Sequence, residues 1–125
     1  MNIRELFRDW HQVEELPADS VIFSEGDSAD VLYVVLSGKV RLTLHGSELS
    51  VEDEGGIIGE MAMLDTATRN STATCVGTVL LARLDRSQLI ELTRSNSEFS
   101  LYVMSVLANR LRAVDDYISA RIGPA

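Results

Sequence analysis

The stretch Asp30–Leu44, "DVLYVVLSGKVRLTL", sets β-branched and aromatic residues on both sides of a Ser-Gly pair. Apolar runs of this kind, broken by a turn dipeptide, read as strands. The expectation is a hairpin with a tight turn at Ser37 and Gly38. The same texture continues outward. From His11 to about Asp85, runs such as "VIF", "ELSVE", "STATCV" and "VLLARL" alternate with Gly, Asp, Ser and Pro, and turn signals recur in "LPADS", "SEGDSAD" and "LHGSE". That pattern predicts a mainly β, antiparallel sandwich or small barrel over about residues 12–85.

Helices flank the β region. "MNIRELFRDW" places Ile3, Leu6, Phe7 and Trp10 at helical spacing, a short amphipathic opening helix. "DRSQLIELTRSN" begins at Asp85, an N-cap residue, and predicts a helix carrying Leu89, Ile90 and Leu92. A longer helix is expected from about Ser97 to about Ala120, with Phe99, Val103, Val106, Leu107, Leu111, Val114 and Ile118 stepping by three and four. Its stripe has two readings, packing against the barrel or partial use as the seam of a homodimer.

Composition bounds the function. At 125 residues, 46% hydrophobic and 24% charged, the chain reads as one globular domain able to bury a core. It shows no basic leader and no apolar run long enough to span a bilayer, so the cytoplasm is the default compartment. The lone Cys75 excludes an internal disulfide and reads as a small buried strand residue. Nineteen acids face one Lys and ten Arg, a net charge of -8. Duplex binding needs the opposite balance, so direct DNA binding by this chain is not expected.

The chemistry concentrates in "GGIIGEMAMLDTATRNSTATC", residues 55–75. Gly55, Gly56 and Gly59 let the backbone turn and approach a ligand closely. A short helical turn over Glu60–Leu64 would present unpaired N–H groups to an anion. Arg69 offers a planar fork for phosphate oxygens, and the small residues after it leave their N–H groups accessible. Glu60 cannot bind phosphate, but it can accept a hydrogen bond from a sugar hydroxyl, as acids do in dinucleotide sites. The parts describe a ligand with a phosphate beside a sugar. The competing reading is a surface ion pair between Glu60 and Arg69, worth roughly 0–1 kcal/mol.

"GIIGEMAMLDTATRNSTA" resembles the phosphate-binding cassette of the cyclic-nucleotide-binding domain family, with Gly59 and Glu60 on its Gly-Glu, Ala62 on its small helix residue, Arg69 at the family spacing and Thr72 on the last position. Upstream, "VIFSEGDSADVLYVVLSGKV" is similar to the family's strand and turn signature at Gly26, Asp27, Asp30, Tyr33, Gly38 and Val40. The resemblance covers about residues 12–120. It implies an antiparallel jelly-roll β-barrel with a cassette helix and two closing helices, binding cyclic AMP or cyclic GMP without chemistry on it. By the same resemblance Glu60 would hold the ribose 2′-hydroxyl, and Arg69 the cyclic phosphate with backbone at Gly59 and Ser71. Met61, Ala62, Asn70 and Thr72 would complete the cassette. Leu111, Val114 and Asp115 of the closing helix would lie over the base, while Gly26, Asp27 and Gly38 would form turns. Asn70 stands where a hydroxyl often favours guanine, which tips the expectation to cyclic AMP. "VEDEGG" replaces the family's usual Pro-Gly before the cassette and brings acids near an anionic ligand. A direct arginine–phosphate contact near a surface, of order 4 kcal/mol before desolvation, outweighs such screened charges.

Rival readings are weaker. A metal-dependent enzyme on this kind of barrel needs two or three inward histidines, and only His11 and His45 are present, both expected in solvent, so no metal and no catalysis are expected. A catabolite-activator-like regulator would continue into a helix-turn-helix after the long helix, whereas this sequence runs to "ARIGPA". The expectation is therefore a free-standing sensor acting through a protein partner. A truncated regulator or channel module comes next, and a degenerate dimerisation domain last.

Overall fold

The computed structural model describes residues 1–60 and 68–122. In chain order it contains α1 (Ile3–Leu6), β1 (Val13–Leu16), β2 (Val21–Phe23), β3 (Val31–Leu44), β4 (Ser47–Glu52), β5 (Ile57–Ile58), β6 (Thr72–Asp85), α2 (Arg86–Ser95) and α3 (Ser97–Ile122). Every ladder is antiparallel, and the sheet runs β1-β6-β3-β4, with β2 also on β6 and β5 on β3. This is the mainly β, jelly-roll type of architecture expected from the sequence, and among the described strands no ladder joins β4 back to β1. The cassette helix expected over Glu60–Leu64 lies, beyond Glu60, outside the described residues.

The hairpin expected at Ser37–Gly38 is not there. Val31–Leu44 is one continuous strand that pairs with β6 along its length, from Val31 opposite Asp85 to Thr43 opposite Thr72, with register shifts on either side of Ser37. Gly38 has φ +90°, and a Cβ there would stand 2.4 Å from the Thr78 carbonyl oxygen. Its freedom bends a strand past its neighbour and does not reverse the chain. The reversal falls seven residues later, at His45 (φ +50°) and Gly46 (φ +82°), which join β3 to β4.

The core falls into two clusters. Leu32, Val34 and Leu36 point with Ala82 and Leu84 toward Ile3, Phe7 and Phe99 of the helices. Val35, Val40 and Leu42 pack with Phe23, Ile58, Ala73, Cys75, Val79 and Leu81 inside the sheet's fold. Cys75 is a free, buried thiol, as expected, and burial raises its pKa. α1 is a single turn capped by the Asn2 side chain, shorter than the amphipathic helix read from the sequence, but Ile3 and Phe7 are buried as that spacing required. α2 starts on a full capping box, Asp85 with Gln88. Only part of the α3 stripe packs on the barrel. Phe99 is buried and Val103 and Val106 pack on the core, whereas Leu107, Leu111, Val114 and Ile118 are exposed.

Candidate functional site

Arg69 is held from both sides by the turn at Ser24–Asp27. Its backbone N–H donates to the Asp27 carbonyl at 2.8 Å, and its carbonyl accepts from Gly26 N–H at 2.8 Å. Asp27 fixes that turn by accepting from Ser24 N–H at 2.9 Å. Gly26, with φ +86°, does the turning expected of it. The Arg69 side chain is only 5% exposed, and its guanidinium lies 4.3 Å from the centre of the Phe23 ring. Nη1 donates to the Gly59 carbonyl at 3.2 Å, whereas Nε is buried without a partner among the described residues. Glycine suits position 59, because φ +76° disfavours a side chain and a Cβ would crowd Nη1 at 2.5 Å. Desolvation lowers the Arg69 pKa, against the pull of Tyr33, Asp30, Asp27 and Glu60.

Glu60 does not pair with Arg69. Its Oε2 is engaged by Nη1 of Arg110, which α3 brings across from the other side of the site. Nη2 of the same arginine reaches Oε1 of Glu52 at 3.3 Å and donates to the Ile57 carbonyl. This three-residue cluster escaped the reading of the sequence. The one available signal was that position 110 falls between Leu107 and Leu111, near the inward edge of the stripe.

A cavity of about 560 Å³ opens between α3 and the sheet, walled by Leu32, Ile57, Leu89, Phe99, Val103, Leu107, Leu111 and Val114, with Glu60, Asn70 and Arg110 as its polar members. An apolar wall with few convergent polar groups, at this size, suits a small organic ligand. A narrow cleft of about 90 Å³ continues from it past Gly59, Glu60, Asn70, Ser71, Arg110 and Val114. The structure thus brings Gly59, Glu60, Asn70 and Ser71 together beneath Val114, with Leu111 on the adjoining wall. Arg69 instead faces a separate cavity of about 620 Å³, with Phe23, Tyr33, Asp27, Asp30 and Arg83. Thr72 accepts a hydrogen bond from Glu25 N–H at 3.2 Å. Asp115 is exposed and is not part of either wall. Met61 and Ala62 lie outside the described residues. His45 is exposed beside Glu25, and among the described residues no three His, Cys, Asp or Glu side chains cluster as a metal site.

Residues 13–96 match the cyclic nucleotide-binding domain family, and the chain belongs to that family. The CRP-like cAMP-activated global transcriptional regulator of Mycobacterium tuberculosis is 28% identical over 113 residues, 86% of this chain and 50% of that protein. The catabolite activator protein of Thermus thermophilus superposes with a TM-score of 0.74 at 32% identity, covering 93% of this chain and 57% of that one. The cAMP-bound form of the EAL enzyme Bd1971 superposes with a TM-score of 0.61 at 32% identity, over 87% of this chain and 31% of the enzyme. The chain spans about half the length of the two regulators. Among the described residues no helix is long and apolar enough to cross a membrane.

Proposed function

We propose that this chain is a sensor module that binds cyclic AMP, with cyclic GMP as the alternative ligand, carries out no chemistry on it, and acts from the cytoplasm through a protein partner. The observation that carries the reading is the cavity under α3, in which Glu60, Asn70 and Arg110 meet an otherwise apolar wall. Glu60 accepts the ribose 2′-hydroxyl. The cyclic phosphate lies against the backbone of Gly59 and Ser71, and Arg69 turns from Phe23 to meet it, giving its unpartnered Nε an acceptor. Leu111 and Val114 cover the base. Asp115, on the exposed side of α3, takes part only if the helix rotates toward the ligand. Asn70 supplies no hydroxyl for a guanine amine, which favours adenine. The excess of acids, a net charge of -8, argues against a direct DNA contact. The sensor part of a longer catabolite-activator-like regulator is the second reading, and it makes the same binding prediction.

Melting the protein with cyclic AMP, cyclic GMP and AMP tests the proposal. Ligand at 100 times its dissociation constant stabilises by about 2.7 kcal/mol, roughly 8–15 °C in Tm for a domain of this size. The expected order is cyclic AMP, then cyclic GMP, with AMP inert. No shift with either cyclic nucleotide at millimolar concentration leaves a degenerate dimerisation domain as the better account.

A further inference from the structure

Arg110 has one charge and two carboxylates to share it with. Left with a single carboxylate, a guanidinium closes on both oxygens as a two-pronged pair. Here the fork is split. Among the described residues, Nη1 goes to Oε2 of Glu60, and Nη2 is drawn to Oε1 of Glu52 at 3.3 Å. Glu52 is built into that place. It ends β4, its Oε1 also accepts from the Ser50 hydroxyl at 3.3 Å, and its side chain lies against Gly56, where a Cβ would meet Glu52 Cβ at 2.9 Å and Oε2 at 3.0 Å. All three charged side chains are mostly shielded from water, at 16%, 20% and 22% exposure for Arg110, Glu52 and Glu60, so the contest between the acids is weakly screened.

We propose that Glu52 is a positioning residue for the nucleotide's sugar: by holding Nη2 of Arg110 it prevents the guanidinium from closing on Glu60, and so reserves one Glu60 oxygen for the 2′-hydroxyl. This rests on the reading of Glu60 as the sugar's acceptor. The Ile57 carbonyl holds the same nitrogen, but it is neutral and does not divide the charge. With Glu52 neutralised, Arg110 pairs more tightly with Glu60, and the sugar hydroxyl has to displace it.

The measurement is the ratio of affinities for cyclic AMP and 2′-deoxy-cyclic AMP, taken by calorimetry on the full chain. Removing an acid beside an anionic ligand alters phosphate binding for both nucleotides alike, so that effect cancels in the ratio. Wild type is expected to prefer cyclic AMP. Glu52→Gln should shrink that preference by roughly three- to tenfold, the scale of one hydrogen bond, and Glu52→Asp should restore most of it. Once Arg110→Gln is present, adding Glu52→Gln should change the ratio no further. A wild type indifferent to the 2′-hydroxyl removes the assignment of Glu60, and this proposal with it. A clear wild-type preference that Glu52→Gln leaves intact overturns the proposal alone, as does an effect of Glu52→Gln that persists without Arg110. Should Glu52→Gln fail to fold, Glu52→Ala, measured with and without Arg110→Gln, gives the same comparison.

Discussion

Under the proposed function, Arg69 and Glu60 would contribute to binding by different physics. Arg69 is a buried cation whose desolvation is offset by a ring face, a carbonyl and nearby acids, and a phosphate would supply the charge-assisted partner its Nε lacks. Bonds of that kind are worth about 1.5–3 kcal/mol, or roughly ten- to more than a hundredfold in affinity. Arg69→Leu should therefore weaken cyclic AMP binding by that factor. Glu60→Gln keeps an acceptor for the hydroxyl and should weaken it less. Calorimetry on the two variants decides, and an Arg69→Leu protein with wild-type affinity would move the phosphate elsewhere. The sequence singled out both residues as candidates, because a Gly-Glu and an arginine nine residues on form a local pattern. It did not single out Arg110 or Glu52. Arg110 reaches Glu60 from a helix fifty residues downstream, and Glu52, although only eight residues before Glu60, joins the cluster through that same arginine; no spacing rule reports a contact that only tertiary packing creates.

At the level of elements, β3 shows where sequence reading stops. Its alternation of Val, Leu and Tyr marked it as strand, and the capping residues placed the start of α2 at Asp85. Glycine after serine was ambiguous, because a positive φ serves a hairpin turn and a strand bend equally well. What separates the two is the partner strand, which lies more than thirty residues downstream. The two glycines of this region should respond differently to alanine. Gly38→Ala meets both a φ of +90° and the Thr78 carbonyl, whereas Gly46→Ala, at φ +82°, meets nothing within 4 Å. Backbone strain alone costs about 1–3 kcal/mol. Denaturant unfolding should place Gly46→Ala within that range and Gly38→Ala above it. Equal losses would mean that the strand slides to accommodate the new Cβ.

Across the whole molecule, α3 leaves an apolar row uncovered from Met104 onward. Met104, Leu107, Leu111, Val114 and Ile118 are 58%, 37%, 71%, 39% and 47% exposed, and they step by three, four, three and four. That is the heptad spacing of a two-helix seam, and it supports a homodimer through this helix. Ile118→Asp is the cleanest probe, since Ile118 does not line the cavity under α3. Sedimentation should find the wild type as a dimer at micromolar concentration and the variant as a monomer. A monomeric wild type would leave the row to another protein.

The long pairing of β3 with β6 also leads to an expectation about the order of assembly. The chain between them, residues 45–71, carries β4, β5, Gly59, Glu60 and Arg69, so the binding segment is the loop that this ladder closes. Closing such a loop loses chain entropy before any contact within it compensates, and non-local pairing of this kind folds slowly. We expect the loop's pocket residues to reach their native places after the strands have zipped. Substitutions at Gly59, Glu60 or Arg69 should then leave the refolding rate nearly untouched and act on how quickly the native state comes apart. A bound nucleotide, gripping the same loop, would lengthen the lifetime of the folded protein without hastening its formation.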